Sequence, residues 1–272
     1  MPNSEAGTSR IDELFARTRA ENRAALVGYL PAGFPTVERS IRAIATMVEN
    51  GVDLVEVGLP YSDPVMDGPT IQAAAGAALE AGTKVDDVFE VVRATAGLGV
   101  PTVVMTYWNP VERRGVDRFA AQLAEAGGAG LITPDLIPDE GVDWEKASRA
   151  HDLDRIYLVA PSSTDERLVM TAEAASGFIY ATAVMGVTGQ RTETSSLAPE
   201  LVARIREVTD KPVGVGLGVS NGAQAAEVAA FADAVIVGSA LVRCLMDTDD
   251  EQQGLDALAA LTRELRAGME RP

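Results

Sequence analysis

Within the stretch VEVGLPYSDPVMDGPTIQ, residues 55–72, three carboxylates fall inside twelve positions: Glu56, Asp63 and Asp67. Glu56 is the fifth residue of the apolar run VDLVEV, so its side chain belongs near the end of a buried strand. A carboxyl group there has two uses. Paired to a neighbouring hydroxyl or amide it is structural; left short of partners, its pKa rises and it becomes a general acid and base near neutral pH. Asp67, in MDGP just past the strand, is either an Asx-type turn before Gly68 and Pro69 or a second carboxylate on the same rim. Asp63, in SDP, invites the same turn reading, and pattern does not separate it from Asp67. Asp135, in TPDLIPDEG, has a catalytic reading and a loop or interface reading. Tyr180, in FIYAT, either packs centrally or offers its hydroxyl to a ligand, and Tyr29, Leu30 and Met105 have a pocket-lining reading beside the commoner one of plain core residues.

Glycine-rich turns supply the complementary chemistry. GVGLGVS (214–220) and VGSALVRCL (237–245) each follow an apolar run, and the second leads into a helix whose first N–H groups belong to Gly238, Ser239 and Ala240. Backbone N–H groups at a helix start bind a phosphate whatever the net charge. A third segment, MGVTGQRTETSS (185–196), carries Gly186 and Gly189 and reads as a mobile lid. Taken singly such glycines serve only tight turns, but three in succession at strand ends point to one phosphate site.

These groups need a scaffold that brings strand ends together. Short apolar runs near 24–30, 52–57, 102–106, 129–133, 155–159, 178–182, 212–216 and 233–237 are continuous, as in parallel strands covered on both faces. Amphipathic segments separate them, at 36–50, 72–97, 115–126, 140–151, 165–175, 198–209, 221–231 and 251–267. Thr36 is placed to cap the first of these and Gly51 to end it. Eight strand–helix units match a single (β/α)₈ TIM barrel spanning 1–272, with a doubly wound open sheet as the competing topology. Residues 8–20 read as an extra N-terminal helix, with Ile11, Leu14 and Phe15 on one face to plug the barrel bottom. A short phosphate-binding helix is expected after strand 8.

Composition narrows the partners. Twenty-three basic against forty acidic residues give a formal charge of -17, which disfavours nucleic acid and anionic membranes. The single cysteine, Cys244, has no intramolecular disulfide partner and reads as a packed residue. The single histidine, His151, reads as a surface residue, and no Cys/His metal cluster is expected. Without an apolar leader or a run of about 18 apolar residues, a cytoplasmic location is the expectation.

VEVGLPYSDPVMDGPTIQ resembles the signature of the tryptophan synthase alpha family, and the likeness continues through YWNPV, PDLIPDE, MGVTG, GLGVS and VGSALV. The resemblance implies a TIM barrel that cleaves indole-3-glycerol phosphate to indole and glyceraldehyde 3-phosphate by a retro-aldol reaction. It also implies an αββα heterotetramer in which indole is channelled to a beta subunit, with pyridoxal phosphate only in that partner and no cofactor in this chain. It assigns Glu56 as the acid/base and Asp67 as the carboxylate that meets the indole N–H. Tyr180 becomes a substrate neighbour and Tyr29 an aromatic wall of the indole pocket, while Gly189, Gly218, Gly238 and Ser239 become phosphate positions. Asn109, Asp135 and Asp63 become loop or interface residues facing the beta subunit. Two departures stand out: Ala183 and Val184 replace a Ser-Arg pair before the lid, and LPAGFP replaces a Thr-x-Gly-Asp-Pro form. A stand-alone lyase that releases free indole and a catalytically silent partner subunit are the competing readings.

Overall fold

The computed structural model describes residues 8–182 and 194–271. Eight strands, β1 (Ala25–Pro31), β2 (Leu54–Gly58), β3 (Thr102–Met105), β4 (Gly130–Thr133), β5 (Asp154–Val159), β6 (Ile179–Thr182), β7 (Val213–Gly216) and β8 (Ala234–Val237), pair in chain order and close on themselves. Every pairing is parallel, including β1 with β8. The open-sheet alternative is therefore excluded.

Twelve α-helices accompany the strands among the described residues: α1 (Arg10–Ala20), α2 (Val37–Glu49), α3 (Pro69–Glu80), α4 (Val85–Ala96), α5 (Trp108–Arg114), α6 (Val116–Glu125), α7 (Val142–Ala150), α8 (Asp165–Ala174), α9 (Thr194–Val208), α10 (Gly222–Ala229), α11 (Ser239–Met246) and α12 (Glu251–Ala267). Two expectations need correction. The segment 72–97 is two helices, broken at Gly82, whose φ of +93° favours glycine. YWNP starts the short helix α5 rather than remaining loop, because the carboxylate of Asp135 accepts the Trp108 N–H at 2.9 and 3.1 Å and caps it. The expected caps of α2 hold: Thr36 accepts the Arg39 N–H, and Gly51 follows at φ +113°.

Alternation along each strand divides the core in two. Ala25, Val27, Leu54, Val103, Ile132, Ile156, Phe178, Ala234 and Ile236 point into the barrel, whereas Leu26, Leu30, Val55, Val57, Leu131, Val235 and Val237 pack outward against the helices. Leu30 thus belongs to the outer layer and not to a pocket, since it is one residue out of phase with Tyr29. Ile11, Leu14 and Phe15 of α1 join the inner cluster, with the Phe15 ring 5.8 Å from that of Phe178. The N-terminal helix is the plug its periodicity predicts. On the same side Arg23 donates to both oxygens of Asp53 at 2.7 Å, and Asp53 also accepts the Leu26 N–H, tying β1 to the start of β2. The bottom is closed, so a ligand enters from the C-terminal mouth. Among the described residues no helix is long and apolar enough to cross a membrane.

Candidate active site

The same alternation that fills the barrel delivers the site. Two residues above the packed layer, the inward positions are Tyr29 on β1, Glu56 on β2, Met105 on β3, Leu158 on β5, Tyr180 on β6 and Ile236 on β8, and these form the floor of a cavity of about 330 Å³. Asp67 and Met66 enter from the β2–α3 loop. Gly216, Gly218, Gly238 and Ser239 close the opposite side. Eight of the sequence-predicted residues, Glu56, Asp67, Tyr29, Met105, Tyr180, Gly218, Gly238 and Ser239, converge on one space. Gly189, residues 185–193 of the expected lid (185–196) and the Ala183–Val184 departure lie outside the described residues, while residues 194–196 belong to the start of α9 and not to a loop.

Glu56 is almost wholly buried at 1% exposure, and its Oε2 has no hydrogen-bond partner among the described residues. Burial first, then the nearby charge of Asp67, pushes its pKa up to about 8. Asp67 is raised to about 6 by burial. Among the described residues no Lys, Arg or His lines the cavity to oppose these shifts. At neutral pH the pair therefore holds one protonated and one ionised carboxyl, an acid beside an anion.

Asp67 is carried on a braced loop. The Gln72 side-chain amide, from the first turn of α3, donates to the carbonyls of Asp67 (2.8 Å) and Pro64 (3.3 Å). The Met66 N–H donates to the Tyr107 hydroxyl at 2.9 Å, and Tyr107 stacks on Tyr61 with ring centroids 5.1 Å apart. Asp63 is exposed and accepts the Ser62 hydroxyl at 2.7 Å, away from the cavity. Asp63 and Asp67, indistinguishable by pattern, are thus separated by the fold.

The tyrosines sit where glycines leave room. A Cβ on Gly216 would lie 2.7 Å from the Tyr180 hydroxyl, and one on Gly58 would meet the Tyr29 hydroxyl and lie 2.6 Å from Cζ. Each ring leans from its own strand over the glycine of the next. Tyr180 also stacks on Phe178 at 6.4 Å, so it both packs and reaches the cavity. At the glycine side, α11 starts at Ser239 behind Gly238 with no side-chain cap, both residues line the cavity, and Gly218 adopts φ +72°. An anion fits there without a cationic side chain.

Asn109 and Asp135 line no part of the cavity. Asn109 donates to the Tyr61 hydroxyl at 3.1 Å, and Asp135 caps α5, so both organise the outer rim. Tyr107, Gly58, Gly216 and Leu158 were not singled out by sequence; only inward parity at a strand end, once strand limits are known, marks the last three. Met105 lines the cavity, which is its pocket reading rather than the core one. His151 lies on the surface, 3.2 Å from Asp117, and Cys244 is half-buried on α11. A second cavity of about 310 Å³ between α11 and α12 contains neither carboxylate and no strand-end residue. No cluster of three His, Cys, Asp or Glu suited to a metal occurs among the described residues.

The comparisons with known proteins agree with one another. The family described as tryptophan synthase alpha chain matches residues 15–270. A relative from Salinispora arenicola, named tryptophan synthase alpha chain, is 62% identical over 264 residues, 97% of this chain and 99% of the relative. Among solved structures, a chain of tryptophan synthase from M. tuberculosis is similar with a TM-score of 0.90 at 55% identity, covering 97% of this chain and 100% of that one. The alpha subunit from Legionella pneumophila superposes at 0.87 with 33% identity, over 96% and 98% of the two chains.

Proposed function

The chain belongs to the tryptophan synthase alpha chain family, and from that premise we propose how its own residues carry out the alpha reaction. The reaction is the retro-aldol cleavage of indole-3-glycerol phosphate to indole and glyceraldehyde 3-phosphate in tryptophan biosynthesis. What carries the assignment of roles is the pairing, in one cavity, of a buried and partnerless Glu56 with Asp67, opposite the amide-lined start of α11. The phosphate sits on the N–H groups at Gly238 and Ser239, beside Gly218. That anchoring lays the indole between Tyr29, Met105 and Leu158.

Glu56, protonated at neutral pH, gives its proton to indole C3. The ring nitrogen becomes cationic, and ionised Asp67 accepts its N–H and stabilises that charge. Glu56, now a carboxylate, takes the proton from the side-chain hydroxyl on the departing carbon. That carbon becomes the aldehyde as the C3–carbon bond breaks, and its electron pair returns to the ring. Glu56 ends as it began, so no net proton is exchanged. Tyr180 orients the hydroxyl-bearing chain. The chemistry is assigned to this chain's side chains without a cofactor, and pyridoxal phosphate is expected only in the beta partner.

A beta subunit is the partner this family calls for, in an αββα assembly that passes indole from one site to the next. Asp63, Asn109 and Asp135 ring the mouth beside apolar side chains left open to solvent, Val65 at 84% exposure, Met66 at 55% and Ile137 at 42%. Exposed apolar surface of that kind fits a partner surface. We take residues 1–272 as a single barrel domain working in the cytoplasm.

Indole release from indole-3-glycerol phosphate, measured with and without a beta subunit across pH, tests the assignment. The rate of the parent should follow a bell with limbs near pH 6 and pH 8, because Asp67 must be ionised and Glu56 protonated. Glu56→Gln should lose at least about a hundredfold. A Glu56→Gln chain as fast as the parent ends the acid/base role; a parent rate already high and unchanged by the partner favours the stand-alone lyase.

A further inference from the structure

Between the end of β2 and the start of α3 the chain runs from Leu59 to Gly68 outside any helix or strand, and Asp67 rides near its far end. The Leu59 N–H donates to the Met105 carbonyl at 2.9 Å and anchors the near end. Further along, the backbone bonds are internal: the Val65 N–H donates to the Asp63 carbonyl at 2.9 Å and the Asp67 N–H to the Pro64 carbonyl at 3.1 Å. They shape a turn without fixing its tilt against α3. The helix adds no cap of its own, since Gly68 stands at its N-cap with no side-chain bond.

The helix itself is firmly seated. Ile71, Ala74, Ala75 and Ala78 are buried, and the Gln72 N–H closes the first turn on the Gly68 carbonyl at 3.0 Å. From that platform the Gln72 side chain reaches back over the helix start, where its Nε2 donates to the carbonyls of Asp67 at 2.8 Å and Pro64 at 3.3 Å. A side-chain amide nitrogen carries two N–H donors, and both neighbours are carbonyls that only accept, so the partners fix which way the amide faces. Those carbonyls stand at the two ends of the Pro64–Asp67 turn. Among the described residues no side chain bonds to the Asp67 carboxylate, so its aim into the cavity rests on its main chain.

We infer that Gln72 is a positioning residue for the alpha reaction: by bridging the Pro64 and Asp67 carbonyls it holds the turn against α3 and keeps the Asp67 carboxylate within hydrogen-bond reach of the indole nitrogen. The inference rests on the role proposed for Asp67. Gln72 is exposed and lines no part of the cavity, so it acts without touching substrate. A displacement of about 1 Å at a catalytic group costs up to about a hundredfold in rate. The phosphate end of the substrate, held on the opposite side, is left alone.

Two variants of the full chain test this: Gln72→Met, which keeps the length and loses the donors, and Gln72→Glu, which at neutral pH turns only acceptors towards the two carbonyls. Amide hydrogen exchange at Met66 and Asp67 is followed without substrate, and indole release at neutral pH is measured with and without a beta subunit. In both variants the two amides should exchange about tenfold faster. The kcat should fall roughly tenfold or more with KM nearly unchanged, equally with and without the partner. The residual rate of Asp67→Asn should be lowered no further by either change. Unmoved exchange overturns the inference, as does a Gln72→Glu chain as fast as the parent, a loss confined to the partner-bound state, or a full further loss on top of Asp67→Asn. If exchange quickens but Asp67→Asn alone releases indole like the parent, the clamp stands and the role given to Asp67 falls instead.

Discussion

At the scale of single residues, the roles proposed for the site rest on burial. Glu56 is inward by strand parity, has no partner for Oε2, and faces a like charge rather than an opposite one. The consequence reaches stability. Its folded pKa, about 8, lies above the ordinary value of 4.5, so the folded chain keeps a proton that the unfolded chain releases. Stability from this group is full below about pH 4.5 and is lost as pH rises towards 8, at about 1.4 kcal/mol per unit. Glu56→Gln should therefore be more stable than the parent at pH 8.5, by about 2–4 kcal/mol in urea melts, and close to it at pH 4.5. A parent that gains stability over that range relative to the variant would contradict the raised pKa. Residue pattern left Asp67 and Asp63 alike and the family resemblance divided them; the loop braced by Gln72 and Tyr107 places Asp67 at the cavity.

At the scale of elements, the plug and the mouth are independent ends of one barrel. The helix α1 was readable because Ile11, Leu14 and Phe15 repeat at helical spacing, with Ser9 and Asp12 forming a capping box at its start. Leu14, at 2% exposure, packs in the inner cluster on the side away from Glu56. Leu14→Ala should cost about 2–4 kcal/mol in denaturant melts while kcat/KM for indole release stays within about twofold. A mutant that melted normally but lost activity would mean that the bottom layer sets the site. By contrast α5 escaped sequence reading. A seven-residue helix has too little periodicity to register, and its cap, Asp135, comes from another loop 27 residues away.

At the scale of the whole molecule, the mouth carries both the chemistry and the surface proposed to meet the beta subunit. Val65 is 84% exposed and lines no part of the cavity, so it isolates the docking role. Val65→Asp should weaken the gain in indole release produced by a beta subunit, by about tenfold in the partner concentration required, and leave the release by the chain alone unchanged. Equal activation of parent and variant would remove this rim from the interface. The barrel itself, eight strand–helix units in order, was legible from the sequence, as were Glu56 and the glycine turns after β7 and β8. Those are local signals: apolar runs, helical spacing, and turn residues depend on neighbours along the chain. That Gln72 and Tyr107 brace the loop carrying Asp67, that Leu30 faces out while Tyr29 faces in, and that Gly58 and Gly216 exist to seat tyrosines from other strands were decided by tertiary structure alone. The physical reason is that each depends on which strands lie side by side and in what register, and closure of the barrel sets that between residues tens to hundreds of positions apart.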